Sequence, residues 1–394
     1  MHPCYSRRHW LKTAAAAAGV AFVDPLIMRS RADAPVKPVA LARCMTYGPE
    51  LESTLDRIFD QLGGLGRIVK GKTVAIKVNL TGSPTYRLGY SPCEDTHYTH
   101  PRVIAAAVHL MSKAGAKRVR ILESPWSTAD PIEEYILQAN WDPHLILGAG
   151  NNVEFENTNF LGNAKKYTRL NVPSGGYMFP AFDLNHAYND CDVFCSIAKM
   201  KEHATAGITL SMKNCFGITP VTIYGEGAGI DEPSILPKGG RSLVHAGYRQ
   251  PSKSAPGEKD PKSPRIDTYR VPRTVVDLCG ARPIDLAIIE GIKTMTGGEG
   301  PWIDGCKPAS PGVILAGTNC VNTDAVAMAV MNFDPMADRG TPPFERCDST
   351  LKLAENAGLG TRDLRKIEVA GAKIDDVKFD FAKIRRERRA AMHG

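Results

Sequence analysis

Short apolar, β-branched runs alternate along this chain with stretches of helical period. Leu51, Leu55, Ile58, Phe59 and Leu62 share one face of a 3.6-residue repeat, which predicts a helix over 49–65 closed by Gly63-Gly64. TVAIKVNL at 73–80 predicts a buried strand. A helix over 102–114 opened by Pro101 follows, then a strand at 118–123 (RVRILE) and a helix at 131–140. DVFCSIAK at 192–199 and IDLAIIE at 284–290 are strong strand candidates, with a helix over 271–279 before the second. A strand at 312–317, helices over 323–331 and 349–357, and a strand at 366–369 complete the series. Such alternation predicts an α/β fold, a mostly parallel sheet covered by helices, built as one body or as two lobes around a cleft. Residues 225–265 break the pattern, being rich in Gly, Pro, Ser and Lys, and read as a lid or an insertion loop. The folded domain is expected over 39–372, preceded by a leader at 1–32 and followed by a basic tail at 373–394.

Composition adds limits. A chain of 394 residues with 43% hydrophobic and 23% charged content has ample capacity for a buried core. It has no run of eighteen apolar residues, so no stable membrane span is expected in the mature protein. The formal charge of +7 sits at the two ends, +4 in each, which leaves the body at −1. No basic face for nucleic acid is implied. The ten cysteines form no C-x-x-C, and Cys191 and Cys195 are the nearest pair, so a local iron–sulfur or zinc-ribbon motif is absent. Loss of Cys4 with a leader would leave nine, of which at least one must be free, ligated or intermolecular.

Ser6-Arg7-Arg8-His9-Trp10-Leu11-Lys12, followed by a weakly hydrophobic Ala-rich run from Thr13 to Val23, resembles a twin-arginine signal peptide. The expectation is a periplasmic or secreted protein, with the twin-arginine translocase as its export partner. Cleavage after Ala32, with Ser30 at the other small position, avoids leaving Pro35 directly after the cut. Passengers of this route cross folded, which raises the expectation of a cofactor loaded beforehand, a metal ion among the candidates.

The polar residues that end the strands carry the chemistry. Lys77 and Asn79 lie two apart, so on a strand both point to one face while Ile76, Val78 and Leu80 point to the other. Ligands of open α/β sheets gather at strand C-termini, and a lysine leaving a buried strand needs an anion or a carbonyl. Lys199, Lys201 and His203 repeat the arrangement after the next strong strand, and Lys213 and Asn214 follow in a polar run broken by Met212 and Phe216. Clustered lysines suit carboxylate or phosphate recognition, and desolvation lowers a lysine toward the general-base range. Lys201 and His203 are therefore the candidate proton-transfer groups, with Lys77, Asn79, Lys199, Lys213 and Asn214 as contacts to an anionic small molecule. The bland alternative is a set of solvated loop lysines. His97 and His100 form H-x-x-H beside Cys93 and Asp95; His100, His203 and Glu123 are the candidate metal ligands, with His245 as a further partner. Against that reading, His100-Pro101 simply starts a helix. Gly297-Gly298-Glu299-Gly300-Pro301 lacks the Lys-Ser/Thr of a P-loop and reads as a turn lining a cleft, and Asp324 is a helix-start residue before it is a base.

Taken in order, VAIKVNL (74–80), THP (99–101), Glu123-Ser124, KMKEH (199–203), SMKNCFG (211–217), GGEGP (297–301) and NTDA (322–325) resemble the family catalogued as domain of unknown function 362. The resemblance spans most of the chain, from Val39 to about residue 370. It implies one site built from Lys77, Asn79, His100, Lys199, Lys201, His203, Lys213 and Asn214. Members often sit beside iron–sulfur modules, and this chain has no ferredoxin-like cysteine run. Three functions compete: an enzyme on a carboxylate or phosphate substrate, a non-catalytic exported binding protein for an anionic metabolite or metal chelate, and a redox partner holding a metal through scattered cysteines.

Overall fold

The apolar runs pair into one sheet of eight strands. In chain order these are β1 (Val39–Arg43), β2 (Thr73–Lys77), β3 (Arg118–Glu123), β4 (Val153–Asn157), β5 (Val193–Lys199), β6 (Leu286–Gly291), β7 (Val313–Gly317) and β8 (Val369–Gly371). The computed structural model describes residues 34–126, 128–161 and 166–383, so the leader and the tail beyond residue 383 lie outside the described residues. Across the sheet the order is β8-β1-β7-β6-β5-β2-β3-β4. Only β7 runs antiparallel to its neighbours β1 and β6; every other adjacent pair is parallel.

Period-two alternation sends successive residues to opposite faces, and each face has its own core. On one side Ala40, Val74, Ile76, Cys195, Ile197 and Ile288 pack with helices Glu50–Gln61 and Pro101–Lys113. On the other, Leu41, Ala75, Phe194, Ala198 and Ile289 pack with helices Asp267–Ala281 and Cys320–Val330. The strands thus read as near-continuous apolar runs, because both faces are covered. The α/β expectation holds, and the described residues from Ala34 onward form one unit rather than two lobes.

Three boundaries differ from the pattern for local reasons. β2 stops at Lys77 instead of Leu80, because the Asn79 N–H donates to Thr99 Oγ1 and the Leu80 N–H to Glu123 Oε2. The last strand starts at Val369, since Leu364–Lys366 closes as a 3-10 turn capped by the Asp363 side chain. The Cys320–Val330 helix starts three residues earlier than its apolar run, with Asn319 as its cap.

The segment 225–265 has neither helix nor strand, as expected. It is nevertheless packed onto the body, with Leu243 and Val244 fully buried. Arg270, on the long helix, pins it: the guanidinium pairs with Glu258 and donates to the carbonyls of His245 and Leu243. Gly247, at φ +70°, lies so close over that guanidinium that a Cβ would collide with it.

Candidate functional site

Strand order reverses between β2 and β5. The chain steps outward from β2 to β3 and β4, then returns to place β5 on the other side of β2. Crevices at such switch points, beyond the strand C-termini, are where α/β sheets bind ligands. Here the C-terminal residues of four adjacent strands form two buried ion pairs. Lys77 Nζ on β2 meets Glu123 Oε1 on β3 at 2.7 Å, and Lys199 Nζ on β5 meets Glu290 Oε1 on β6 at 2.5 Å.

Both pairs are saturated. Lys77 also donates to Val78 O, and Glu123 accepts from the N–H groups of Leu80 and Ser124. Lys199 donates further to Glu94 O and Lys293 O, while Glu290 accepts from the His100 N–H and the Tyr47 hydroxyl. Burial pushes both lysines down from the ordinary range and the neighbouring carboxylates pull them back. Asn214 ties the first pair to the loops, accepting from Asn79 Nδ2 at 3.1 Å and donating to Ser196 Oγ and Lys77 O.

Asn214 sits on the turn Ser211–Asn214, whose start is held by Asp324 from the Cys320–Val330 helix. The Asp324 carboxyl accepts from Ser211 N, Ser211 Oγ and Met212 N, and burial raises it to about 7. Asp324 is therefore a buried brace for the turn rather than the start of its own helix. The same turn carries Lys213, whose Nζ stands 4.5 Å from the centroid of the Phe216 ring. Among the described residues that ammonium has no hydrogen bond and no ion pair. Burial lowers Lys213 to about 7, with Arg241 and Lys77 adding to the shift and Glu299 opposing it.

Around Lys213 the groups feel one another's charge. His245, from the packed insertion, lies edge-on to Phe216 at 4.8 Å and is lowered to about 3 by burial, Lys213 and Arg241. His203 is pushed far down by burial, then by Lys213. Its Nδ1 accepts from the Thr205 N–H at 3.1 Å, which leaves the neutral ring with its proton on Nε2. Burial works to raise Glu299, but His203, the Ala204 N–H and the Trp302 indole outweigh it and hold the carboxylate at about 2. Since the His203 ring is neutral, the two N–H donors are the dependable part of that hold. Lys201 Nζ donates to His97 O and Glu299 O, so it fastens the GGEGP loop to the edge of the sheet. Arg241 is likewise gripped by carbonyls: its Nε donates to Thr219 O and its Nη2 to Ser124 O. No hydrogen bond among the described residues uses its Nη1.

Beyond the C-termini of β2 and β5, three basic side chains, Lys201, Lys213 and Arg241, thus lie near one carboxylate, Glu299, and two neutral histidines, and burial pushes Lys201 well below the ordinary lysine range. None of the three forms an ion pair among the described residues. Of the residues expected from sequence, Lys77, Asn79 and Asn214 converge but face inward as structural contacts, Lys199 is enclosed by the second pair, and Lys201 is a fastening. His203 and Lys213 face the crevice. Arg241 was missed, since it lies in the aperiodic segment where no pattern marks a residue. The candidate metal ligands are not brought together. His100 caps its helix with Nδ1 and stacks on Tyr47, Glu123 belongs to Lys77, and His203 lies beside Glu299. Among the described residues no group of three His, Cys, Asp or Glu side chains is placed to hold a metal. Cys279 meets Cys215 and Cys320 in the core, and the described cysteines form no disulfide with one another.

These motifs belong to a recognised family. A family model described as a domain of unknown function (DUF362) matches residues 74–329, and the chain is a member of that family. Over 192 residues it is 28% identical to a thylakoid-associated protein of Synechocystis, covering 47% of this chain and 51% of that one. Among solved structures it is similar to a Thermotoga maritima protein, at 13% identity and a TM-score of 0.35, covering 64% of this chain and 52% of that one. It is also similar to the lactate racemase apoprotein of Thermoanaerobacterium thermosaccharolyticum, at 13% identity and a TM-score of 0.36, covering 69% and 54%. The chain spans about half the length of each of these three proteins.

Proposed function

We propose that this chain is a small-molecule enzyme that binds a carboxylate or phosphate anion in the switch-point crevice and moves a proton with Lys213. One observation carries the reading: a partly buried ammonium, Lys213, without a hydrogen bond or ion pair among the described residues, near a second partly buried cation without an ion pair, Arg241. Withdrawing a cation from water is costly unless it is paired, and a site that keeps two such groups without a carboxylate is complementary to an anion supplied from outside. A lysine lowered to about 7 can take and return protons near neutral pH. His203, with its Nε2–H, is the neighbouring hydrogen-bond donor, and Lys201 takes a positioning role in place of the proton-transfer role expected from sequence. The leader motif around Arg7-Arg8 supports export by the twin-arginine route and hence action outside the cytoplasm.

The test is a thermal-shift series with the purified full chain against small carboxylates and inorganic phosphate, with product analysis by mass spectrometry. Stabilisation by at least one anion, lost in Lys213→Met, and turnover of a carboxylate or phosphate ester are expected. If no anion stabilises the protein, or if Lys213→Met keeps the shift, the reading fails. Stabilisation without turnover would make the chain a binding protein instead.

A further inference from the structure

Four lysines end in or around the crevice, and three are committed. Lys77 and Lys199 each have a carboxylate and at least one carbonyl, and Lys201 has two carbonyls. Of these four, Lys213 alone ends on no acceptor among the described residues. Its Nζ stands over the flat face of Phe216, which offers attraction to the ammonium yet no lone pair to hold the proton. The turn that presents it is fixed at its start by Asp324 and at its end by Asn214, so the backbone that carries the amine is held in place. Beside it Arg241 is clamped through Nε and Nη2, which aims a permanently charged fork while leaving Nη1 available. A lysine that serves only as an anion clamp gains by remaining charged. One placed in an enclosed site next to another cation loses its proton readily and becomes a nucleophile. Burial and Arg241 do lower it, to about 7.

We propose that Lys213 forms a Schiff base with the carbonyl carbon of a 2-oxo carboxylate whose carboxylate group is held by Arg241. This rests on the anion-site reading above and names its substrate class. The neutral amine attacks the carbonyl carbon, a C–N bond forms, and the carbonyl π pair moves to oxygen, where His203 Nε2–H is the nearby donor. A proton passes from nitrogen to that oxygen to give the carbinolamine. The nitrogen lone pair then forms C=N as hydroxide leaves, and hydroxide takes one proton from solvent to become water. Neutral amine, carbonyl and one solvent proton thus give a protonated imine and one water; no oxidant or reductant is consumed. A 2-oxo acid fits where a phosphate does not, because it supplies both an electrophilic carbon for the amine and a planar carboxylate that matches a guanidinium edge.

The experiment incubates the full chain with pyruvate or glyoxylate, reduces with sodium cyanoborohydride, and locates the added mass by peptide mapping. One adduct on Lys213 is expected, formed roughly ten-fold or more faster near pH 7 than on surface lysines, whose ordinary pKa is about 10.4. Lys213→Arg, which keeps the charge and loses the nucleophile, should show no adduct at that position while its circular dichroism matches the parent. Inorganic phosphate should slow the trapping by occupying the same cations. If pyruvate stabilises the protein against heat but leaves no adduct on Lys213, the imine falls and the anion site stands. If pyruvate neither stabilises nor labels, and phosphate does not stabilise, both fall. Labelling of surface lysines alone, equal in parent and Lys213→Arg, also overturns the proposal.

Discussion

Lys77 Nζ lies 2.7 Å from Glu123 Oε1 across two adjacent parallel strands, with both side chains almost wholly removed from solvent. Removing one partner leaves the other charge buried. Glu123→Gln is expected to cost about 3–5 kcal/mol of folding stability in urea denaturation. Lys77→Met with Glu123→Gln should recover more than half of that loss, because no unpaired ion remains. A loss below about 1 kcal/mol for Glu123→Gln would show the pair to be energetically neutral.

Gly217 closes over that pair. A Cβ there would stand 3.0 Å from Lys77 Nζ and 3.3 Å from Glu123 Oε1, in a place where neither atom can retreat without leaving its partner. Gly217→Ala is expected to destabilise by about 1–3 kcal/mol. It should also weaken the heat stabilisation given by phosphate or pyruvate, since Phe216 and Lys213 share its turn. Equal melting temperatures and equal anion shifts in the two proteins would contradict this.

Lys213 links the site to pH. Its folded value is about 7, against 10.5 for an ordinary lysine. Between those values the unfolded chain binds one proton more at this residue than the folded chain, so its contribution to stability rises with pH. Below about pH 7 both states are protonated and the folded state bears the cost of a partly buried, unpaired ammonium. Lys213→Met should therefore be more stable than the parent near pH 6, by about 0.5–2 kcal/mol. The difference should shrink as the pH approaches 10.5, while anion binding is lost throughout. Urea midpoints taken near pH 6 and pH 9 decide the matter, and a variant weaker at the lower pH would sink the argument.

Glu258 holds the aperiodic segment through Arg270, and both side chains are fully removed from solvent. Glu258→Gln leaves the guanidinium partly unpaired and is expected to cost about 3–5 kcal/mol. Limited proteolysis should then cut faster within 225–265 than elsewhere. Because His245 and Arg241 ride on that segment, the variant should also lose anion binding. Unchanged cleavage sites and rates would show that the segment is held by other contacts.

The sheet was readable because both of its faces are buried, so strands such as Val193–Lys199 appear as unbroken apolar runs. Val39–Arg43 and Val153–Asn157 carry weaker patterns: the first holds two alanines and ends on an arginine, and the second carries Glu154 and Glu156, which pair with Arg118 and Arg120. Lys77 and Asn79 both meet Asn214, but their spacing cannot tell a saturated lysine from a waiting one. That distinction depends on Glu123 and Glu290 arriving from distant strands, and Glu299 from a loop nearly a hundred residues beyond His203. Arg241 had no legible signal, because its role is set by carbonyls at Ser124 and Thr219 rather than by any pattern around it.

The reversed strand β7 has a consequence for how the chain comes to be folded. Val39–Arg43 pairs on one side with residues 313–317 and on the other with 369–371. Val39–Arg43 therefore has no partner in this sheet until residues 313–317 have been made. Such long-range pairing pays its loop-closure entropy late and folds slowly. Synthesis alone thus delays closure of that half of the sheet until Val369–Gly371 has emerged. A chain truncated before Val369 would leave one edge of Val39–Arg43 open, ready to recruit a strand from another copy.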